Sequence, residues 1–226
     1  MSQRRRRDRV ALLGAGIVCI ALTFALGFYV AAGGAEPPGL DASWMDDVVG
    51  LRADVVLFAS NLFNHIGGGW FAILVVPIGG AVAFVFARRP WSALVFIVAS
   101  AVSAGLCQVL KALFGRARPE EILLPLHNGS FPSGHATNAA VIAAVLGLLL
   151  RRTWVWVLGA IYIVAMAFSR TLLGAHWVSD TVAGALLGVG TALIVYWAFL
   201  PQLRTEPVGG APTPAQRSGS AARSRT

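Results

Sequence analysis

The sequence predicts an all-α integral membrane protein, a bundle of six transmembrane helices, and three observations lead there. Hydrophobic residues make up 57% of the 226-residue chain and charged residues only 12%, against the roughly 25% with which a soluble domain covers its surface. The charges cut the chain into uncharged runs at 10–35, 55–87, 90–110, 122–150, 153–169 and 181–203, of 26, 33, 21, 29, 17 and 23 residues. A helix crosses the hydrocarbon core with about 20 residues, range near 17–25, so each run supplies one span and none comfortably supplies two. The basic residues alternate in step with those spans. With the N-terminus in the cytoplasm, 13 of the 18 basic residues fall on the cytoplasmic side and eight of the ten acids on the other, as the positive-inside rule requires. The net charge of +8 is therefore spread over juxtamembrane segments, which excludes a nucleic-acid-binding patch.

Each element follows from its own run. Residues 1–9 form a basic cytoplasmic N-terminus, and the apolar stretch after it is longer than the about 7–15 residues of a cleaved signal, so it reads as an uncleaved first helix. Residues 37–52 are acidic with interspersed Leu40, Trp44, Met45, Val48, Val49 and Leu51, compatible with an amphipathic helix on the outer interface or with a solvated loop. The second run opens with Asn61, Asn64, His65 and Gly67-Gly68-Gly69, so its helix is expected from near Trp70, or slightly earlier with a fraying first turn, with a kink at Pro77. In the fourth run, Pro125, His127, Asn128, Gly129 and Pro132 precede the apolar stretch, and the helix is expected just after Pro132. The fifth run is short, but Arg151 and Arg152 can snorkel to the interface. The membrane domain spans 10–203, and residues 204–226, rich in Pro, Gly, Ser, Thr and Arg, read as a disordered cytoplasmic tail. Cys19 and Cys107 lie far apart inside apolar runs, so neither a structural disulfide nor a cysteine-rich metal site is expected.

Three polar clusters stand at span ends, where ionisable groups are functional candidates. The first is Lys111-Ala-Leu-Phe-Gly-Arg116-Ala-Arg118-Pro119, holding the only lysine of the chain. If the third helix continues, Lys111 and Arg118 lie two turns apart on one face, a clamp for an anion. Arg116 falls off that face and reads as solvated. The second, Phe131-Pro132-Ser133-Gly134-His135, opens the fourth helix, whose first turn offers unpaired N–H groups and a positive dipole end. Ser133 can cap the helix or bond the anion, Gly134 admits close approach, and His135 adds an acid/base group. The third runs from Ser169-Arg170 through Gly174 and His176 to Asp180. His176 and Asp180 are helical neighbours, and a carboxylate that takes one ring N–H leaves the other nitrogen free as a nucleophile or base. Arg170 is about 120° out of register with His176 on an ideal helix, so a break near Gly174 is expected. All three clusters sit on the extracytoplasmic side. With three cations, two histidines and no carboxylate cluster to hold a metal, they read as a metal-free phosphoryl-transfer centre.

The spacings Lys-x6-Arg-Pro over 111–119, Pro-Ser-Gly-His over 132–135 and Ser-Arg-x5-His-x3-Asp over 169–180 resemble the three-part signature of the type-2 phosphatidic acid phosphatase superfamily. That superfamily includes bacterial polyprenyl-diphosphate phosphatases and the soluble vanadium haloperoxidases, the latter disfavoured by six spans. The resemblance implies that Lys111, Arg118, Arg170, Ser133 and the Gly134 N–H bind phosphate oxygens. It also implies that His176, oriented by Asp180, forms a phosphohistidine, and that His135 protonates the leaving group and then activates water. A lipid phosphate or diphosphate in the bilayer is the implied substrate, with polyprenyl diphosphate slightly preferred over phosphatidate or phosphatidylglycerol phosphate. No cofactor or metal is implied, and membrane lipids rather than nucleic acid are the partners. The location implied is the plasma (inner) membrane, with both termini cytoplasmic and the site outside. Two rival readings remain, a lipid phosphotransferase and a scaffold with a decayed site. The scaffold would lack a histidine or a clamp residue, and none is missing.

Overall fold

The computed structural model describes residues 3–34, 36–68, 71–126 and 128–206; the expected tail beyond Glu206, Trp70 and His127 lie outside them. The described residues form helices joined mostly by short loops, with one long connection between Phe114 and Gly134. Four helices are long and apolar enough to cross a membrane: α1 (Gln3–Ala32, uncharged from Val10), α5 (Pro90–Phe114), α7 (Thr153–Leu172) and α8 (Val178–Ala198). A fifth candidate is a broken pair, α3 (Asp54–Gly67) and the stretch Phe71–Phe86, bent by 47°. That second half opens with a π-helical turn, Phe71–Val75, and continues as α4 (Val76–Phe86). The remaining run holds α6 (Gly134–Leu150), whose 17 residues span about 26 Å, the lower limit for a crossing. The bundle is thus all-α and multi-pass, with four to five spans by length and composition and a short helix in the sixth place.

Two expectations are corrected here. The helix of the second run does not begin near Trp70: Asn61, Asn64 and His65 lie inside α3. Their polar atoms are satisfied locally, since Asn61 Nδ2 donates to the Leu57 carbonyl at 3.1 Å and His65 Nδ1 to the Asn61 carbonyl at 2.7 Å. The chain breaks at the glycine run instead, and Pro77 sits harmlessly in the first turn of α4. The third helix, in turn, does not continue through Arg118. Gly115 ends α5 in a left-handed conformation (φ 52°), its N–H returning to the Lys111 carbonyl.

Of the two readings of residues 37–52, the structure has the helix. The segment α2 (Gly39–Val49) buries Met45 and Val48 against Leu172, with Trp44, Phe168 and Trp177 around them. It is docked on the end of α7 and α8 rather than laid on open membrane. The basic N-terminal residues from Gln3 onward extend α1 as helix.

At the centre, α6 is buried nearly all round, which explains why its sequence is apolar on every side. It touches α7 and α8 most extensively, and α1 packs on the far side of α8. Close approach depends on small residues, as in membrane bundles generally. A side chain added at Gly188 of α8 would meet the Val141 backbone nitrogen and the Ala140 Cβ at 2.8 Å. Away from the clusters, Phe84, Phe96, Val141, Val145, Leu149 and Tyr196 fill one apolar core. Large apolar side chains such as Phe58 (73% exposed), Val164 (68%) and Phe86 (84%) form the outward surface, the arrangement a lipid solvent favours.

The packing yields a paired expectation. Gly188→Ala should destabilise the bundle by about 1–3 kcal/mol, because backbone must move. Gly14→Ala, with nothing within 4 Å of the added methyl, should be neutral or stabilising by up to about 1 kcal/mol. Thermal unfolding of the two variants in one detergent separates the outcomes.

Candidate active site

The antiparallel order brings the C-terminal ends of α5 and α7 and the N-terminal ends of α6 and α8 to one end of the bundle, where all three clusters lie. Local sequence sets each end. Gly115 stops α5 four residues after Lys111. Ser133 caps α6, its Oγ accepting the Ala136 N–H at 3.4 Å, and so presents Gly134 and His135 in the first turn. Gly174 (φ 64°) turns the chain sharply after α7 and carries Ala175 and His176 back over the helix end. Its left-handed conformation and the Glu121 and Ile122 backbone beside it leave no room for a larger residue. Asp180 closes α8, its Oδ2 accepting the Trp177 N–H at 3.0 Å. The Ser133 N–H donates to the Asp180 carbonyl at 2.9 Å, fastening two of the clusters together.

Lys111, Arg118, Arg170, His135, His176 and Gly134 line a single cavity of about 460 Å³. Lys111 Nζ donates to the Gly129 and Ser130 carbonyls at 2.6 and 3.3 Å. Arg118 spans the Asn128 carbonyl at 2.9 Å, the Asn128 amide oxygen at 2.7 Å and the Ala175 carbonyl. Lys111 and Arg118 therefore meet at the 128–130 loop, not along one helical face. Arg170 is fully buried, with Nη1 on the Asn64 amide oxygen at 2.5 Å and, among the described residues, no partner for Nε or Nη2. Buried unpaired guanidinium nitrogens are costly, and Arg170 stands at the cavity wall beside two more cations, surroundings that suit a multiply charged anion.

His176 is 3% exposed. Its Nε2 lies 3.5 Å from Arg118 Nη1 and its Nδ1 lies 3.5 Å from Asp180 Oδ2. Asp180 thus lies beside the ring, but at this separation Nδ1 forms no hydrogen bond. Burial, then the neighbouring Arg170, Lys111 and Arg118, hold the imidazole well below its ordinary pKa. It is neutral at pH 7 and keeps its lone pair. Burial lowers the Arg118 pKa from its usual value as well, with Asp180 opposing, although a guanidinium remains charged at any physiological pH. Ser133 is wholly buried with its hydroxyl serving the cap, and it does not line the cavity.

Three residues in and around the site escaped the sequence reading. Asn64 bonds Arg170, and its carbonyl accepts from His135 Nε2 at 3.1 Å; an amide in an otherwise apolar run was the available signal. Arg116, expected to be solvated, is instead buried between two carboxylates, Asp180 Oδ1 at 2.6 Å and Asp41 Oδ2 at 2.7 Å. Asp41 itself, on α2, is 1% exposed. Nothing in the local sequence distinguishes it from the other acids of that segment.

A family model described as the PAP2 superfamily matches residues 92–204. The chain is 32% identical over 137 residues to phosphatidylglycerophosphatase B of Bacillus subtilis, covering 56% of this chain and 66% of that protein. It is 31% identical over 115 residues to an undecaprenyl-diphosphatase of Sulfolobus acidocaldarius, covering 48% and 55%. The matched stretch thus spans about two thirds of the first relative and about half of the second. The crystal structure of a transmembrane PAP2-type phosphatidylglycerolphosphate phosphatase from Bacillus subtilis superposes with a TM-score of 0.70 at 22% identity, covering 84% of this chain and 97% of that one.

An oxyanion of phosphate geometry should bind this cavity. Isothermal titration with orthovanadate should report one site on the wild type. Arg170→Leu should weaken it about 30-fold or more, since loss of one buried charged partner costs about 2 kcal/mol at least.

Proposed function

The chain belongs to the PAP2 superfamily, and from that membership we propose that it is a membrane phosphatase that removes phosphate from a lipid phosphate or diphosphate through a phosphohistidine on His176. The observation that carries the reading is the Arg170 guanidinium, fully buried with two nitrogens unpartnered in a cavity shared with Lys111, Arg118 and both histidines. In the first step His176 Nε2 attacks phosphorus, forming the P–N bond as the P–O bond to the leaving group breaks. The ring keeps its Nδ1 proton and becomes cationic, and the Asp180 carboxylate facing Nδ1 balances that charge. Lys111, Arg118 and Arg170 hold the transferring oxygens, with the Gly134 N–H at the α6 terminus; such preorganised donors contribute about 3–4 kcal/mol each elsewhere. Ser133 acts by holding that terminus in place.

His135, entering this step as the imidazolium with both ring nitrogens protonated, donates a proton to the departing oxygen. With Nε2 held as a donor to the Asn64 carbonyl, Nδ1 is the ring atom left for this transfer. In the second step the same nitrogen takes a proton from water, hydroxide attacks phosphorus, the P–N bond breaks and inorganic phosphate leaves. General acid–base catalysis of this kind contributes roughly 10²–10⁴-fold.

Below the polar end the cavity becomes apolar, lined by Ile73, Leu74, Ile78, Ile97 and Ala101. Ile97 and Lys111 lie 14 residues apart on α5, about 21 Å along its axis. An apolar cleft of that depth accommodates an extended hydrocarbon chain, and a polyprenyl diphosphate is slightly preferred as the substrate over a two-chain glycerolipid. The distribution of arginines supports a site on the extracytoplasmic face of the plasma (inner) membrane, with both termini in the cytoplasm.

Phosphate release in detergent micelles, measured across polyprenyl diphosphates, phosphatidate and phosphatidylglycerol phosphate, tests the proposal. His176→Ala should abolish both release and the acid-labile phosphoenzyme while the protein remains folded in micelles, and full activity in that variant would refute the mechanism. Orthovanadate should inhibit competitively and EDTA should leave the rate unchanged. Strong inhibition by the chelator would contradict a reaction without a metal.

A further inference from the structure

Asp41 is a buried carboxylate outside the three clusters, and it is more heavily bonded than a docking contact needs. Its Oδ1 accepts the Ser179 N–H at 2.9 Å. Its Oδ2 accepts the Ser179 hydroxyl at 2.6 Å and Arg116 Nη2 at 2.7 Å. The other arm of the same guanidinium, Nη1, donates to Asp180 Oδ1 at 2.6 Å and to Ser179 Oγ at 2.7 Å. Asp180 Oδ2 accepts the Trp177 N–H and faces His176 Nδ1. An unbroken series of contacts thus runs from α2 through Arg116 and Asp180 to the nucleophilic ring.

The geometry of a guanidinium gives that series a direction. Alone with one carboxylate, arginine takes it in a two-pronged fork that occupies both oxygens. Here two carboxylates share the fork, so Arg116 reaches only Oδ1 of Asp180 and Oδ2 stays turned to His176. We propose that Asp41 is a positioning residue: by holding Nη2 of Arg116 it keeps Asp180 Oδ2 available to His176 Nδ1, making the nucleophile's orientation depend on α2. The inference rests on the reading of His176 as nucleophile. Docking of α2 has separate fasteners. Arg52, just beyond α2, donates to the Leu172 and Glu121 carbonyls at 2.9 and 2.8 Å, and Met45 and Val48 pack into the apolar cluster beneath the helix. Loss of charge at Asp41 should therefore leave the helix in place.

Asp41→Asn keeps an acceptor for the Ser179 N–H and puts an amide NH2, a donor, in place of the oxygen that holds Arg116 Nη2. The expected result is a kcat lowered about 10- to 100-fold, the range seen when the outer partner of an oriented histidine is removed, with KM within about threefold. The double variant Asp41→Asn/Asp180→Asn should be no slower than Asp180→Asn alone, since residues acting in series do not add. Independently of turnover, ¹⁵N spectra of histidine-labelled protein should show His176 as the Nδ1–H tautomer in the wild type and as a mixture in Asp41→Asn, the signal being assigned by its loss in His176→Ala. Multiplying losses in the double variant, a raised KM at unchanged kcat, or an unaltered tautomer would each overturn the proposal. A wild type that releases no phosphate from any lipid would instead sink the functional reading, and the tautomer measurement would still decide the role of Asp41.

Discussion

Lys111, Arg118, Arg170 and two imidazoles converge on one cavity at the end of an apolar bundle, and the repulsion among them is the constraint to which the surrounding structure answers. Charged side chains at membrane depth cost on the order of 3 kcal/mol each even on lenient scales, and like charges in a medium of low dielectric raise that further. The protein meets the cost unevenly. Lys111 and Arg118 are wrapped in carbonyl oxygens of the 128–130 loop and of Ala175. Arg170 has only the Asn64 amide. The incomplete compensation leaves a site that a polyanion would complete, and burial together with these cations holds the His176 pKa well below its ordinary value.

That site exists because four helix ends are stopped within a few residues of one another. Gly115 and Gly174 end α5 and α7 in left-handed turns, while Ser133 and Asp180 start α6 and α8. The ends meet only because α6 and α8 pack at glycine distance, with Gly184 and Gly188 against the backbone of α6. Small residues in mid-membrane and the polar cavity residues at its edge are thus parts of one design: the former set the spacing at which the latter share one cavity. The outer helix α2 adds a second layer, supplying the carboxylate that divides the arms of Arg116 between two partners.

Composition, run length and arginine placement determined by themselves that the chain is helical and multi-pass, because lipid admits few other solutions. Spacing within the three clusters made the cavity's cations and both histidines legible, since side-chain chemistry at short range is written in local sequence. The turn at Gly174 and the helix start after Pro132 were legible for the same reason. Only the tertiary structure decided what joins distant segments. The expected common face of Lys111 and Arg118 gave way to a shared loop, because a left-handed glycine ends the helix between them. Asn64, placed by the sequence outside any helix, reaches Arg170 from 106 residues away. Arg116 and Asp41 are ordinary charges in a one-dimensional reading, and they become a buried pair only when α2 docks on the α8 terminus. Such pairings depend on where whole helices come to rest, and no local propensity or spacing records that.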